Sequence, residues 1–397
     1  MNILFLCCAY SESQVSTFQK NSIRGYQYAA QNFQEALIEG FVENNDVTFN
    51  VVSIPSLSTY PKGYRVAYVP DSSFIYRKNK IGFSFGFINL PIVNHLFQSR
   101  IDRHIDNWYN NYSGQKCIIV YAMLKNQMQY AVRAKQRYPD LKLCLVIPDL
   151  PIYMNYNKYY KSLGLHKRDM DAIYSYLDLF DCYAVLAEPM IKYLNLVNKP
   201  YSVIEGIYSE VANVPLGNKL PYKTIMYAGG IQTRYGVFDL VEAFHRIKSS
   251  EYRLILCGPC LEMEKLNSYL SKDDRIDYRG MLSTLEVRKL QKSVSLLVNP
   301  RHSTEEFTKY SFPSKTLEYM ASGTPVLMSN LPSMPDEYKQ YLYLFDDESI
   351  DGMKKMIERI CSLDSLALNA KGCAAREFIL NNKNSAVQVR KIIDLIK

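Results

Sequence analysis

Apolar and polar positions along this chain follow two periods, and the period switches back and forth. Residues 2–8 (NILFLCC) form an unbroken apolar run of strand length. Over residues 26–44, Phe33, Leu37 and Phe41 recur at helical spacing and predict an amphipathic helix. Residues 117–122 and 141–147 read as buried strands around a helix at 125–138, and 182–186 and 201–204 read as two more strands. Both periods lapse over 206–221 (GIYSEVANVPLGNKLP), which reads as a linker. The alternation then resumes. Strands are predicted at 224–227, 253–257, 276–279 and 296–299, with helices at 236–248, 261–270 and 285–293 between them. Buried strands alternating with helices predict parallel sheets covered on both faces. The expected organisation is therefore α/β: two doubly wound, Rossmann-like domains, 1–207 and 208–373, followed by a terminal helix at 374–397.

Composition sets bounds on what such a chain can do. Its 397 residues are enough for two domains, and 48% of them are hydrophobic, enough for two cores. The net charge of +8 suits anionic partners, but no basic run is long enough for a nucleic-acid arm. The nine cysteines mostly sit inside apolar runs, as do Cys7, Cys117, Cys144 and Cys182, and read as small buried hydrophobes in a reducing compartment. The N-terminus runs directly into a strand with no signal-peptide pattern, and no apolar run has spanning length, so a cytoplasmic protein is expected. The 33 tyrosines against one tryptophan fit sugar contact or an A/T-rich genome equally well.

Chemistry concentrates in residues 299–327, NPRHSTEEFTKYSFPSKTLEYMASGTPVL. The pattern predicts a strand end, a polar loop, a helix opening at Pro313-Ser314 and stopping at Ser322-Gly323, then another strand. A helix that opens in a loop after a strand points unpaired N–H groups into the crevice at the strand ends, which seats phosphate. Lys315 falls in the first turn, where a cation opposes the helix dipole unless an anion shares the place. Glu318 follows on the same face, placed to accept from two hydroxyls. Lysine one turn before glutamate suits a nucleoside diphosphate; an ordinary helix with a solvated Lys and Glu fits the spacing as well.

This segment resembles the donor-site signature of the family 4 retaining glycosyltransferases, in particular a bacterial polysaccharide-assembly branch with an "FPSKTxEYmasGtPVl" block. Further blocks follow in the family's order: IPDLP at 147–151, YAVLAEPMIKYL at 183–194, YAGGIQTRYGVFDLVEAF at 227–244, LILCGP at 254–259 and YRGMLSTLEV at 278–287. The likeness covers the last two thirds well and residues 44–114 poorly. It implies the GT-B fold, two Rossmann-like domains facing across a cleft, with the final helix, here 374–397, crossing back to the first domain. It implies a nucleotide-sugar donor, expected to be a UDP-sugar, a lipid-linked saccharide acceptor, no metal or other cofactor, and action on the inner face of the cell membrane. Lys315 and Arg301 would then stabilise the leaving diphosphate, and Gly229, Gly230, Arg234, Tyr278, Ser314, Thr316 and Glu318 would bind the donor. Pro259 and Met281 would flank the base.

Three departures from the family pattern stand out. The family carries an Arg beside the first loop glycine and a Lys before the next; here those places hold Gly230 or Ile231 and Tyr235, with Arg234 one place away. The first of two glutamates eight apart is replaced by Tyr310, and Glu305 or Glu306 could reach the sugar instead. Many members have a His near the end of the strand before Asp149, and here there is none; Asp149 itself ends a strand before Pro151 and reads as a base or sugar ligand, or as a turn residue. His302 either contacts phosphate or is structural.

Other features allow more than one reading. The polar stretch 9–25 reads as a long loop, for acceptor recognition or mere mobility. Residues 77–97 interleave basic and aromatic residues, as a membrane-facing surface or as a core hairpin with basic flanks. Cys257-Gly258-Pro259-Cys260 has the thioredoxin motif, but no Trp precedes it, and a Gly turn after a strand already accounts for it. A nucleotide-sugar epimerase or hydrolase, working without acceptor, and a catalytically idle membrane-associated partner in a polysaccharide complex are the competing functions.

Overall fold

The computed structural model describes residues 1–23, 27–90, 98–153, 164–209 and 218–397. The chain divides into two units: Met1–Glu205 with Ser385–Lys397, and Gly206–Asn384.

The strands of the first unit are β1 Asn2–Cys7, β2 Thr48–Ser53, β3 Tyr68–Val69, β4 Ser72–Tyr76, β5 Asn79–Ser84, β6 Phe87–Ile88, β7 Lys116–Tyr121, β8 Lys142–Ile147, β9 Cys182–Val185 and β10 Tyr201–Val203. Its helices are α1 Glu12–Asn21, α2 Tyr28–Glu43, α3 Gln98–Asn111, α4 Lys125–Arg137, α5 Leu165–Leu177 and α6 Pro189–Tyr193. Eight strands form one sheet in the order β10-β9-β8-β7-β1-β2-β5-β4, parallel except for β4 against β5. Every residue of β1 is buried, as expected of a central strand covered on both faces. The β4–β5 hairpin turns at Arg77-Lys78, both at positive φ (48° and 66°), the two-residue turn whose twist matches the flanking strands.

Residues 12–21 are not a loop. Helix α1 fills them, opened by a capping box between Ser11 and Gln14, with Phe18 buried against Tyr10, Tyr64 and Phe87. The serines and glutamines that read as loop residues are the cap and the exposed face of this helix. Gly25 lies outside the described residues. The terminal helix of 374–397 is also two helices, Ser365–Asn382 in the second unit and Ser385–Ile396 in the first. The latter packs on α2 at Gly40, where a Cβ would lie 2.2 Å from the Ser385 carbonyl oxygen. Ser385 Oγ donates to Glu39 Oε2 at 2.7 Å, so the buried carboxylate is met by α2's partner helix.

The second unit contains β11 Lys223–Ala228, β12 Tyr252–Cys257, β13 Ile276–Tyr278, β14 Leu296–Asn299, β15 Val326–Met328 and β16 Tyr343–Leu344. Between and after them run α7 Val237–His245, α8 Met263–Leu270, α9 Thr284–Ser293, α10 Ser314–Ala321, α11 Ile350–Cys361 and α12 Ser365–Asn382. The sheet is wholly parallel in the order β13-β12-β11-β14-β15-β16. Along β11 the buried residues alternate: Ile225 and Tyr227 join the core beneath α7, while Met226 and Ala228 join the core beneath α10. The chain runs outward from β11 through β12 to β13, then returns to lay β14 on the other side of β11. The strand order therefore reverses between β11 and β14, and a ligand crevice in such a sheet opens at the carboxyl ends of these two strands. Of the expected linker, 210–217 lie outside the described residues, and Tyr208 bridges in parallel to Asn384. Among the described residues no helix is long and apolar enough to cross a membrane.

Candidate functional site

At the carboxyl end of β11 the chain enters Gly229-Gly230, then a 3-10 turn at Thr233–Tyr235 that leads into α7. Gly229 has φ 153°, and a Cβ there would lie 1.5 Å from the Lys315 Nζ. Gly236 has φ 70°, and a Cβ there would meet the Pro300 carbonyl oxygen at 2.0 Å. Only glycine lets the β11 loop approach both α10 and the β14 loop so closely. The reversal point of the sheet is thus where Gly229, Arg301 and Lys315 converge.

Three cations gather there. Lys315 Nζ donates to Tyr227 Oη at 3.2 Å and sits 4.8 Å from that ring's centre. Burial pushes the Lys315 amine down to about 8, with Arg301 lowering it further and Glu318 acting the other way. The Arg301 guanidinium stacks on Tyr235 at 5.4 Å and Phe307 at 5.0 Å, and its Nη1 is buried with no hydrogen-bond partner. Burial also lowers Arg301, and Arg234 adds to the fall. Arg234 is exposed and lies against the same two rings, at 4.7 Å from Tyr235 and 5.5 Å from Phe307. Cations drawn together in a partly buried site are costly unless an anion joins them. Tyr235 stands at the place where the resemblance puts a loop Lys, and its ring, with that of Phe307, lies against the Arg301 guanidinium.

Helix α10 opens at Pro313 with no side-chain cap, leaving Ser314 exposed at its first position. Thr316 was expected among the donor-binding residues; it is fully buried, its hydroxyl donates to the Met328 sulfur at 3.7 Å, and its N–H donates to the Pro313 carbonyl. One residue on from Lys315 is about 100° around the helix, and that direction is the core. Glu318 lines a small recess with Tyr208, Arg288, Gln291, Lys292 and Ser322. Burial raises the Glu318 carboxyl, while Arg288 and Lys315 draw it back down. Gln291 Nε2, in the same recess, is buried without a partner.

At the end of β13, Tyr278 donates its hydroxyl to the Gly258 carbonyl at 3.0 Å. The Arg279 N–H is taken by the Leu256 carbonyl, and the Gly280 carbonyl by the Gly258 N–H. The Tyr278 side chain and these two backbone groups are therefore spent on holding neighbouring loops together. Beside them Met281, Leu261 and Leu285 are exposed apolar residues around the carboxyl ends of β12 and β13. Leu261, Leu285 and Arg288 carry no signal in the sequence that separates them from ordinary surface residues.

His302 is drawn between two carboxylates, Asp239 at 2.6 Å and Glu348 at 3.5 Å, and so anchors the loop that carries Arg301. Glu305 and Glu306 are exposed around the 3-10 turn Glu306–Lys309. Cys257 is buried, and burial pushes its thiol up to about 11, opposite to the activated thiol of a redox pair. In the first unit, Asp149 follows β8 with its side chain open to solvent, and the surrounding protein raises its carboxyl to about 6. Of the stretch 77–97, residues 91–97 lie outside the described residues; Arg77 pairs with Glu39 and Glu43, whereas Lys78 and Lys80 are exposed on the hairpin. Among the described residues no cluster of His, Cys, Asp or Glu has the arrangement of a metal site.

Residues 222–362 match the family model described as "Glycosyl transferases group 1". No curated protein matches the chain. Sucrose-phosphate synthase of Thermosynechococcus elongatus superposes with a TM-score of 0.61 at 15% identity, over 100% of this chain and 98% of that one. The HepE protein of Anabaena, solved in complex with UDP, gives 0.64 at 12% identity over 99% of each chain. A glycosyltransferase from Rickettsia africae gives 0.64 at 12% identity over 100% of this chain and 98% of that one. At such identities the likeness is one of fold, and it runs the length of the chain. The GT-B architecture of two Rossmann-like halves is the architecture of this protein.

Proposed function

We propose that this protein is a retaining glycosyltransferase of family 4 type, moving a sugar from a UDP-sugar to a lipid-linked saccharide in bacterial surface polysaccharide synthesis. The observation that carries this reading is the convergence of Lys315, Arg301 and Arg234 at the reversal point of the second sheet, with Arg301 Nη1 left without a protein partner. The match over residues 222–362 and the UDP complex of a protein with the same fold support it.

In this reading the diphosphate lies against Gly229-Gly230 and the open end of α10 at Ser314. Departure of the diphosphate builds negative charge, and the three cations meet that charge where it grows, without a metal. Glu318, one turn after Lys315, accepts from the ribose hydroxyls, and the exposed apolar residues Met281, Leu261 and Leu285 cover the base. A diphosphate oxygen takes the acceptor proton on the face of the sugar from which it leaves, which retains configuration. Asp149, raised toward neutral pH, is placed in this reading as a ligand or base for the acceptor. Exposed Lys78 and Lys80 suit a peripheral position on the anionic inner face of the membrane.

The test is a thermal-shift series with UDP, GDP, ADP and CMP, without added metal. Stabilisation by UDP above the others is the expected result. Absence of any shift would overturn the donor site.

A further inference from the structure

Two buried tyrosine hydroxyls join the β11 loop to α10, and neither residue has a role in the reading above. Tyr227 donates to the Gly230 carbonyl at 3.0 Å and accepts from Lys315 Nζ at 3.2 Å. Tyr319, on α10, accepts from the Ala228 N–H at 2.7 Å and donates back to the Ala228 carbonyl at 3.3 Å. Both side chains are essentially inaccessible to solvent. A tyrosine chosen only to fill a core needs one partner for its hydroxyl. Here both hydroxyls are used twice, and all four bonds end on the strand end, the glycine loop or Lys315.

We propose that Tyr227 is a positioning residue for the diphosphate seat: its hydroxyl holds the Lys315 amine against Gly229 and the Gly230 carbonyl turned away from the ligand, while Tyr319 fixes the strand end from which the loop departs. This rests on the reading of Lys315 as a diphosphate cation. The chemistry of the partner is the core of the argument. A lysine amine at the end of four rotatable bonds loses much entropy when a ligand first orders it. A carboxylate would order it beforehand but would also cancel its charge and compete with phosphate. A phenol orders the amine and leaves the charge intact. Burial raises the Tyr227 hydroxyl far above its ordinary range, so it stays neutral wherever the protein is folded.

The experiment is calorimetric binding of UDP and of inorganic pyrophosphate from pH 7 to 9.5, with the full chain, Tyr227→Phe and Lys315→Met. Loss of the hydroxyl removes the acceptor that stabilises a buried ammonium. Tyr227→Phe should therefore bind both ligands at least fivefold more weakly at pH 7, and the fall in affinity on the alkaline side should begin at lower pH than in the unmodified chain. Identical affinity and an unmoved alkaline limb in a folded Tyr227→Phe would overturn the proposal. If Lys315→Met itself leaves binding unchanged, the diphosphate-cation reading fails first; if it weakens binding and Tyr227→Phe does not, only the positioning role fails. Should Tyr227→Phe not fold, lysine side-chain NMR on the unmodified chain decides, with Lys315→Met used for assignment. A Lys315 amine held slowly exchanging against the Tyr227 ring before any ligand is added supports the role, and a Lys315 amine that stays mobile and fast-exchanging until pyrophosphate binds overturns it.

Discussion

The Lys315 amine lies where the β-carbon of any other residue at Gly229 would be, 1.5 Å from that position. The glycine and the lysine are thus one device, a gap in the backbone surface and the cation that enters it. Gly229→Ala should displace Lys315 and strain the loop at its positive φ, at a cost of about 1–3 kcal/mol in stability. UDP affinity should fall at least tenfold. A titration that finds Gly229→Ala binding UDP as tightly as the unmodified chain would show that the contact has no part in the site.

Donor binding should weaken as pH rises through 8. Lys315 titrates at about 8 in the folded chain and at its ordinary value of 10.5 when unfolded. Between those values the unfolded chain holds more protons, so this group alone makes the protein more stable as pH rises across that window. A bound diphosphate prefers the charged amine, so ligand binding takes up a proton in the same window and affinity drops, by up to about tenfold per unit of pH. Calorimetry in buffers of different ionisation heat would read this uptake directly, and Lys315→Met should abolish it.

Arg301→Lys should not be tolerated at the site, although it keeps the charge. The guanidinium is held by stacking on Tyr235 and Phe307, and a lysine has no planar face to stack. The expected outcome is a folded protein with UDP affinity reduced about tenfold, on the scale of a charge-assisted contact. Equal affinity of the two proteins would remove Arg301 from the seat.

Glu318→Gln should weaken UDP more than 2′-deoxy-UDP. The carboxylate is assigned to the ribose hydroxyls, so a ligand lacking one of them has less to lose. A common fold-loss for both nucleotides would argue that Glu318 acts through its neighbour Arg288 rather than through the sugar.

The central strands were legible because parallel strands covered on both faces are unbroken apolar runs; β1, β7, β8, β11 and β14 are of this kind. The outer strands β4 and β5 were not, since each is only partly buried and carries Lys, Asn or Ser beside its apolar positions. Helix α1 was hidden for the same reason, its polar face outnumbering Phe18 and Val15. Lys315 and Glu318 were singled out by their spacing on a helix that opens after a strand together with the family resemblance, and both are partly buried on α10. Tyr227 and Tyr319 could not, because a buried tyrosine in an apolar run reads as packing until the bonds of its hydroxyl are known. Thr316 adjoins Lys315 in sequence, which on a helix means a different face, and its side chain lies in the core.

The helix Ser385–Ile396 closes the first unit, yet it is made after all of the second. During synthesis, Glu39 must therefore wait for its Ser385 partner, and α2 for its cover at Gly40, until the second unit has been made. The second unit has every strand of its sheet in one continuous stretch and can fold while the first is still unfinished. A ribosome stalled near residue 384 would hold a completed second unit beside an open first one. Ending an expressed chain there would leave that opening permanent, with α2 bare along the face that the missing helix covers.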